Sequence, residues 1–188
     1  MGWQPIDWKE LWRYKDLFYF LVWRDIKTRY AQSVLGIGWA VIQPVFSMIV
    51  FTIVFGKLAK INSDGVPYAI FSYTALVPWT YFSGGLTGAS GSLLGASGMM
   101  TKVYFPRLVI PLAPVMAKLV DFCIAFIILL LMMFYFGFTP TINIIYLPGL
   151  ILLMMLTASG MGMWLTAMAV QYRDINYAMS FFVQLLMY

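Results

Sequence analysis

An apolar stretch at residues 112–136 constrains the fold more than any other feature. It reads LAPVMAKLVDFCIAFIILLLMMFYF, and only Lys118 and Asp121 in it are charged. A helix needs about 20 apolar residues to cross a bilayer. Three further blocks of this kind occupy residues 34–56, 68–97 and 145–170. The sequence therefore predicts four membrane-spanning helices.

Composition supports a membrane protein rather than a soluble domain. The chain is 62% hydrophobic and 10% charged, whereas soluble domains are about 45–50% apolar and about 25% charged. We expect an all-α, polytopic helical bundle over residues 34–188, preceded by an N-terminal region, residues 1–33, that lies at the cytoplasmic surface. The last apolar run, 177–188, is too short to cross, so we expect the bundle to be incomplete at its C-terminal side, with about four and a half spans present.

Residues 7–30 have the periodicity of an amphipathic helix lying at the membrane interface. One face of this helix is aromatic and aliphatic, and the opposite face carries mixed charge, as surface-lying helices do. A cytosolic helix packed on a partner is the alternative. The apolar face comprises Trp8, Leu11, Trp12, Tyr19, Val22, Trp23, Ile26 and Tyr30.

Several classes of chemistry are excluded by residues that the sequence lacks. The chain has no histidine, which rules out Ser–His–Asp triads and imidazole metal sites. No segment matches the phosphate-binding loop G-x-x-x-x-G-K-[ST], so ATP hydrolysis by that route is also excluded. We expect no enzyme activity, no catalytic residue, no metal and no cofactor bound by this chain.

The net charge of +5 follows from membrane topology and gives no evidence for nucleic-acid binding. With the N-terminus inside, the outer loops hold only Lys57 and Lys60, and the other cations lie in cytoplasmic segments or close to them. That asymmetry is the one that the positive-inside rule describes. We therefore expect a multi-pass protein with a cytoplasmic N-terminus.

Lys118 and Asp121 stand three residues apart within the third predicted span. At this spacing they share a helix face and can pair, which lowers the cost of about 2.5–3.5 kcal/mol for a lone charge at mid-membrane. A structural ion pair and a role in gating or cargo contact both fit this pattern.

Small residues recur at helix-packing spacing in the second and fourth spans. Gly84 and Gly88, and again Gly91 and Gly95, are four residues apart, a spacing that lets helices approach closely in lipid. Either these positions pack inside one subunit, or they form a surface that slides against neighbours. The fourth span repeats the composition with Ala158, Gly160 and Gly162.

Two helices carry aromatic residues together with an amide on one face. Such faces suit sugar rings, which present C–H surfaces and hydroxyl edges, and a lipid-facing or interfacial aromatic stripe is the alternative. A lipid-exposed amide would lack partners, which favours the sugar-contact interpretation. The first span contributes Trp39, Gln43 and Phe46, and the last apolar run contributes Tyr177, Phe181, Gln184 and Tyr188.

Three segments together resemble a known family. They are LVWRDIKTRYAQSVLGIGWAVIQP (21–44), LVPWTYFSGGLTGASGSLLGASGMMTKVYFPRLVIPLAPVMAKLVDF (76–122) and VQYRDINY (170–177). They resemble the permease subunits of type-2 ATP-binding-cassette (ABC-2) exporters that handle O-antigen, capsule or teichoic acid. KVYFPR and YRDI are the most specific parts of this resemblance.

The resemblance implies a bacterial inner-membrane homodimer with six spans per subunit and two copies of a separate ABC ATPase, which binds the ATP and magnesium. The cargo would be a lipid-linked polysaccharide such as O-antigen, and an anionic lipid pyrophosphate could meet Arg24, Lys27 or Arg29 at the cytoplasmic entrance. Those cations could instead serve topology and lipid head-group contact. Short turns would dock on the ATPase through Thr101, Lys102, Val103, Tyr104, Phe105, Pro106, Arg107, Tyr172, Arg173 and Asp174.

Other functions remain open at this point. The same architecture could export a drug, haem or a small lipid, or the chain could be a membrane scaffold without a transport role. A membrane-embedded enzyme of glycan assembly is a further alternative. Product formation without any ATPase subunit would be its signature.

Overall fold

A computed structural model describes residues 8–31, 35–63, 65–100, 106–138, 141–172 and 174–187. All regular structure in these ranges is helical, in agreement with the all-α prediction. The α-helices are α1 (Trp8–Arg13), α2 (Lys15–Ala31), α3 (Gly38–Phe51), α4 (Tyr68–Gly95), α5 (Ser97–Met100), α6 (Val109–Tyr135), α7 (Leu147–Gln171) and α8 (Asp174–Leu185). A π-helical segment, Thr52–Leu58, continues α3, and a 3₁₀ turn, Ile142–Tyr146, leads into α7.

Helix α4 lies at the centre of the bundle. Helices α6 and α7 pack along it, α3 packs on α4 and α6, and α8 packs on α4 and α7. The main core cluster includes the completely buried Tyr73 and Tyr81 of α4, with Phe122 of α6 edge-on to Tyr81. Most of α4 therefore faces protein rather than lipid.

Close contacts fix the direction of the helices around α4. Along α4, Gly84 meets Lys118 and Gly88 meets Pro114, so α6 runs antiparallel to it. Helix α7 runs parallel to α4, because its Ala158 lies near Gly85 and its Gly162 lies against Ala89. The C-terminal ends of α4 and α7 and the N-terminal end of α6 therefore meet at one end of the bundle.

In the described part of the chain, three segments are long and apolar enough to cross a membrane: Gly38–Leu58, Val109–Tyr135 and Ile142–Gln171. Helix α4 matches the predicted second span in position and length, but its glycines and hydroxyl residues keep it outside this apolar class. A helix enclosed by other helices does not need a continuous lipid-facing surface, so such a composition is compatible with its central place.

The start of the third span differs from the sequence prediction. The predicted block begins at Leu112, directly after Pro111, but α6 begins at Val109 and includes both Pro111 and Pro114. Pro111 lies in the first turn, where a backbone N–H has no partner within the helix and none is lost.

The N-terminal region folds as predicted into helix, interrupted at Tyr14 between α1 and α2. Leu21 of α2 is buried against Val109 and Ala113, and Arg29 reaches Asp121, so α2 packs alongside the N-terminal half of α6. Trp12, Tyr19 and Trp23, from the predicted apolar face, are largely exposed. An exposed aromatic surface of this kind is typical of a helix at the membrane interface.

Candidate functional site

Four polar side chains join α2 to the middle of α6. Asp121 of α6 accepts a hydrogen bond from Arg29 Nη1 at 2.7 Å and one from Lys118 Nζ at 2.9 Å, both on Oδ2. The Tyr30 hydroxyl donates to the other carboxylate oxygen, Oδ1. The predicted Lys118–Asp121 pair is confirmed, and it belongs to a larger group that we call the Asp121 cluster: Arg29, Tyr30, Lys118 and Asp121.

The Tyr30 hydroxyl remains protonated at neutral pH. Burial raises the pKa of Tyr30 to about 12, and its hydrogen bond to Asp121 and the charge of that carboxylate act in the same direction. A neutral phenol can donate a proton in a hydrogen bond to a carboxylate, whereas a phenolate cannot. Tyr30 therefore acts as a donor that attaches α2 to α6.

A cavity of 670 Å³ opens between α2, α4 and α6. Small residues of α4 leave this space free, because among the described residues nothing lies within 4 Å of a Cβ added at Gly91 or Gly95. Polar groups enter it from α2. The cavity is lined on the α2 side by Arg24, Asp25, Thr28 and Arg29 and on the α4 side by Gly88, Gly91, Ser92 and Gly95.

The three cations predicted at the entrance are not brought to one place. Arg24 and Arg29 line the 670 Å³ cavity. Arg24 donates to Asp25 Oδ1 through Nε at 3.1 Å and Nη2 at 2.8 Å, so this arginine has a counter-ion next to it. Lys27 lines a different cavity of 500 Å³, with Trp23 and Tyr30.

A smaller cavity of 180 Å³ lies between α3, α4 and α6. Trp39 and Gln43, both predicted to contact sugar, line it together with Lys118 and Asp121. Tyr81 also lines it, and its buried hydroxyl has no hydrogen-bond partner among the described residues. The cavity thus combines an aromatic ring, an amide and an ion pair, which are groups able to hold a polyhydroxylated ligand.

The two predicted aromatic faces do not meet within the described chain. Phe46 is not among the residues that line the small cavity, and it is largely exposed. On α8, Tyr177, Phe181 and Gln184 share an exposed face, while Met179 and Val183 bury the opposite face against Leu86 and Leu165. Tyr188 lies outside the described residues.

The predicted ATPase-docking turns lie at the same end of the bundle. Pro106 and Arg107 form the turn that begins α6, with Val109 N–H donating to the Pro106 carbonyl at 3.1 Å. Tyr172 follows the end of α7 and Asp174 begins α8, and both are exposed. The remaining predicted docking residues, Thr101, Lys102, Val103, Tyr104, Phe105 and Arg173, lie outside the described residues.

Sequence reasoning missed Arg29 and Tyr30 as partners of Asp121, and Gly84 as the surface against which Lys118 lies. A Cβ at Gly84 would come within 2.8 Å of Lys118 Cε. The spacing of Lys118 and Asp121 was a local signal, but nothing local connects them to residues about ninety positions earlier.

Comparison of the sequence with known proteins places the chain in a transporter family. A model of the family described as ABC-2 type transporter matches residues 16–188. The chain is 28% identical over 172 residues to the O-antigen export system permease protein RfbA of Myxococcus xanthus. It is 25% and 24% identical over 174 residues to two RfbA permease proteins of Klebsiella pneumoniae.

These alignments cover 92% of the chain, which spans 65% of the length of the Myxococcus protein and 66% of the length of the two Klebsiella proteins. The family match includes α2 to α8 and therefore the Asp121 cluster, the cavities and both turns. This chain belongs to the ABC-2 type transporter family.

Proposed function

We propose that the chain is the membrane-spanning permease part of an ATP-driven exporter that moves a lipid-linked polysaccharide such as O-antigen across the bacterial inner membrane. The observation that carries this proposal is the similarity, over 92% of the chain, to three permeases named for O-antigen export. The N-terminus and the end of the bundle that holds α2 face the cytoplasm, which agrees with the two lysines, Lys57 and Lys60, at the opposite end.

In this proposal two copies of the chain form the translocation path, and two ABC ATPase subunits supply the energy. The chain itself binds no cofactor, because ATP and magnesium reside on the ATPase. Arg107, Tyr172 and Asp174 are exposed at the same end of the bundle and offer a surface for that subunit. Motion received there passes to α4, α6 and α7, which are closely packed.

The cargo path uses groups that suit a sugar chain and its anionic lipid. Trp39, Gln43 and Phe46 of α3 and the exposed face of α8 contact sugar rings. Arg24 and Arg29 line the 670 Å³ cavity, and Lys27 lines the 500 Å³ cavity on another side of α2. Lipid phosphate therefore meets cations on two sides of this helix.

The second candidate is export of another cargo, such as a drug, haem or a small lipid. The exposed aromatic surface of α8 favours this candidate, because such a surface can contact an apolar molecule. Cargo-stimulated ATPase activity of the reconstituted complex separates the two candidates. Lipid-linked polysaccharide should raise the rate, and apolar drugs should leave it unchanged.

The function is tested by complementation of a bacterial strain that lacks its O-antigen permease, with the full-length protein and its ATPase. Surface O-antigen should return with the wild-type chain and be lost with Arg107→Glu, which reverses the charge of an exposed turn. Lys57→Glu is the matched control at the other end of the bundle, where export should persist. Restoration of export without any ATPase subunit would refute the proposal.

A further inference from the structure

Two cations share one carboxylate oxygen in the Asp121 cluster. Arg29 Nη1 and Lys118 Nζ lie 2.7 and 2.9 Å from the same Asp121 Oδ2. One carboxylate neutralises one cation, and the nearby Arg24 and Asp25 neutralise each other. One positive charge is therefore left over among these residues, and the side chains of Arg29, Lys118 and Asp121 are only 20–32% exposed. A partly buried excess charge is costly unless it acquires a partner.

Of the two cations, Arg29 is the one that can leave. Lys118 lies on the same helix as Asp121, three residues away, and its aliphatic stem rests against Gly84. Arg29 belongs to α2 and already lines the 670 Å³ cavity. If Arg29 turns into that cavity, Asp121 retains Lys118, so no bare carboxylate is stranded. Leaving one member of a buried pair uncompensated is the step that normally opposes such a movement.

We propose that Arg29 exchanges between Asp121 and a phosphate-class anion that occupies the cavity between α2, α4 and α6. The planar guanidinium offers two parallel donors to phosphate oxygens, which a lysine ammonium cannot match. This inference rests on the proposed function and deepens it: among the three cations of the entrance it assigns anion binding to Arg29, and it makes Asp121 the intramolecular competitor of the ligand.

The cavity meets the requirements of such a ligand. Its 670 Å³ lies within the range of about 300–1,000 Å³ that is typical of small-molecule sites. The Thr28 side chain lines it as a further polar group, and Gly91 and Gly95 keep the α4 side open. Helix α2 stays docked during the exchange, because Leu21 remains packed on Val109 and Ala113. The movement is therefore that of one side chain.

The test measures binding of inorganic pyrophosphate by the full-length protein in phosphatidylcholine nanodiscs, without the ATPase, by calorimetry. Asp121→Asn should tighten binding about three- to fivefold, because a part-exposed competing ion pair contributes on that order. Lys118→Gln should weaken it by a similar factor, because Asp121 then holds Arg29 as its only cation. Arg29→Gln should abolish it. Lys57→Gln removes the same charge at the far end of the bundle and should change nothing.

The sign of the Asp121→Asn effect decides between exchange and a purely structural attachment. If Asp121 only holds α2 in place, its loss would weaken pyrophosphate binding or leave it unchanged, and either result overturns the exchange. Asp121→Glu restores the charge and should return the wild-type affinity, which excludes a folding defect as the cause. Undiminished binding by Arg29→Gln would equally overturn the assignment.

A second arm identifies the source of the anion. In nanodiscs that contain phosphatidylglycerol, lipid head groups in the cavity should compete with pyrophosphate in the wild type but not in Arg29→Gln. Equal affinity in both lipids assigns the site to a phosphate that is not part of the bulk bilayer, and both results support the exchange. The binding assay contains no ATPase and no cargo, so it tests the exchange of Arg29 separately from the proposed export function. The exchange can be refuted while export is retained, and it can be supported even if the exported cargo is not a polysaccharide.

Discussion

Helices α4 and α7 are closest at Gly162, and this contact makes a quantitative prediction. A Cβ added at Gly162 would lie 2.6 Å from the Cβ of Ala89. Ala89 is completely buried, and its Cβ is the whole of its side chain, so it has no flexible end that could move aside. Gly162→Ala can therefore be accommodated only if the two helices separate.

The cost has two parts. Inserting a methyl group into a packed core costs about 1–3 kcal/mol. The separation also stretches the hydrogen bond from Thr166 Oγ1 to the Ala89 carbonyl, which is 2.6 Å long and lies one turn further along α7. Such interhelical bonds average about 0.6 kcal/mol in membrane proteins. We expect Gly162→Ala to lower the free energy of unfolding by about 2–3 kcal/mol.

Gly160→Ala is the matched control on the same helix. Gly160 is exposed, and among the described residues nothing lies within 4 Å of an added Cβ. Alanine is a better helix former than glycine by about 1 kcal/mol in water, so this variant should be neutral or slightly stabilising. Both variants are compared by reversible unfolding of the full-length protein in mixed micelles. Equal stabilities for the two variants would refute the packing argument.

Three further predictions follow from single contacts. Thr166→Val should cost roughly 0.6–1.7 kcal/mol in the same unfolding assay, while Thr166→Ser, which keeps the hydroxyl that bonds Ala89, should cost clearly less. Burial raises the pKa of Tyr30 from 10.0 to about 12. The contribution of the Tyr30 hydroxyl to stability should therefore be intact below pH 10 and be lost as pH rises through 12. The difference in absorbance at 295 nm between wild type and Tyr30→Phe measures this titration. Gly84→Ala should change stability little, because the added Cβ would lie 2.8 Å from Cε of Lys118, at the flexible end of that side chain. It should nevertheless displace Lys118 from Asp121, and it should therefore weaken pyrophosphate binding as Lys118→Gln does.

The helices were predictable because their signals are local. Apolar blocks located α3, α6 and α7 to within a few residues, and the aromatic periodicity located α2. The start of α6 was not predictable in this way. Pro111 and Pro114 are close together and suggest a helix boundary, but Pro111 fits inside the first turn of α6 without loss of a hydrogen bond.

The Asp121 cluster was only half predictable. Lys118 and Asp121 are three residues apart, so helical geometry alone brings them together. Arg29 and Tyr30 meet Asp121 only because Leu21 packs on the beginning of α6, and this is a tertiary contact between segments about ninety residues apart. In a single sequence, Arg29 cannot be distinguished from Arg24 or Lys27, although the three cations have different surroundings in the structure.

The glycines of α4 show why the same pattern carries different meanings along one helix. Gly84 and Gly88 face α6, Gly85 faces Val115 and Ala158, and Gly91 and Gly95 face open space. A missing side chain brings two helices together only where another helix lies opposite; elsewhere it leaves room. Because α2 packs beside Gly91 and Gly95 and its Arg29 lines the same space, the unfilled part of the pattern becomes a cavity with a cation at its wall. Gly84 and Gly88 therefore serve helix packing, and Gly91 and Gly95 of the same helix serve the proposed anion site, because α2 leaves the space beside them open.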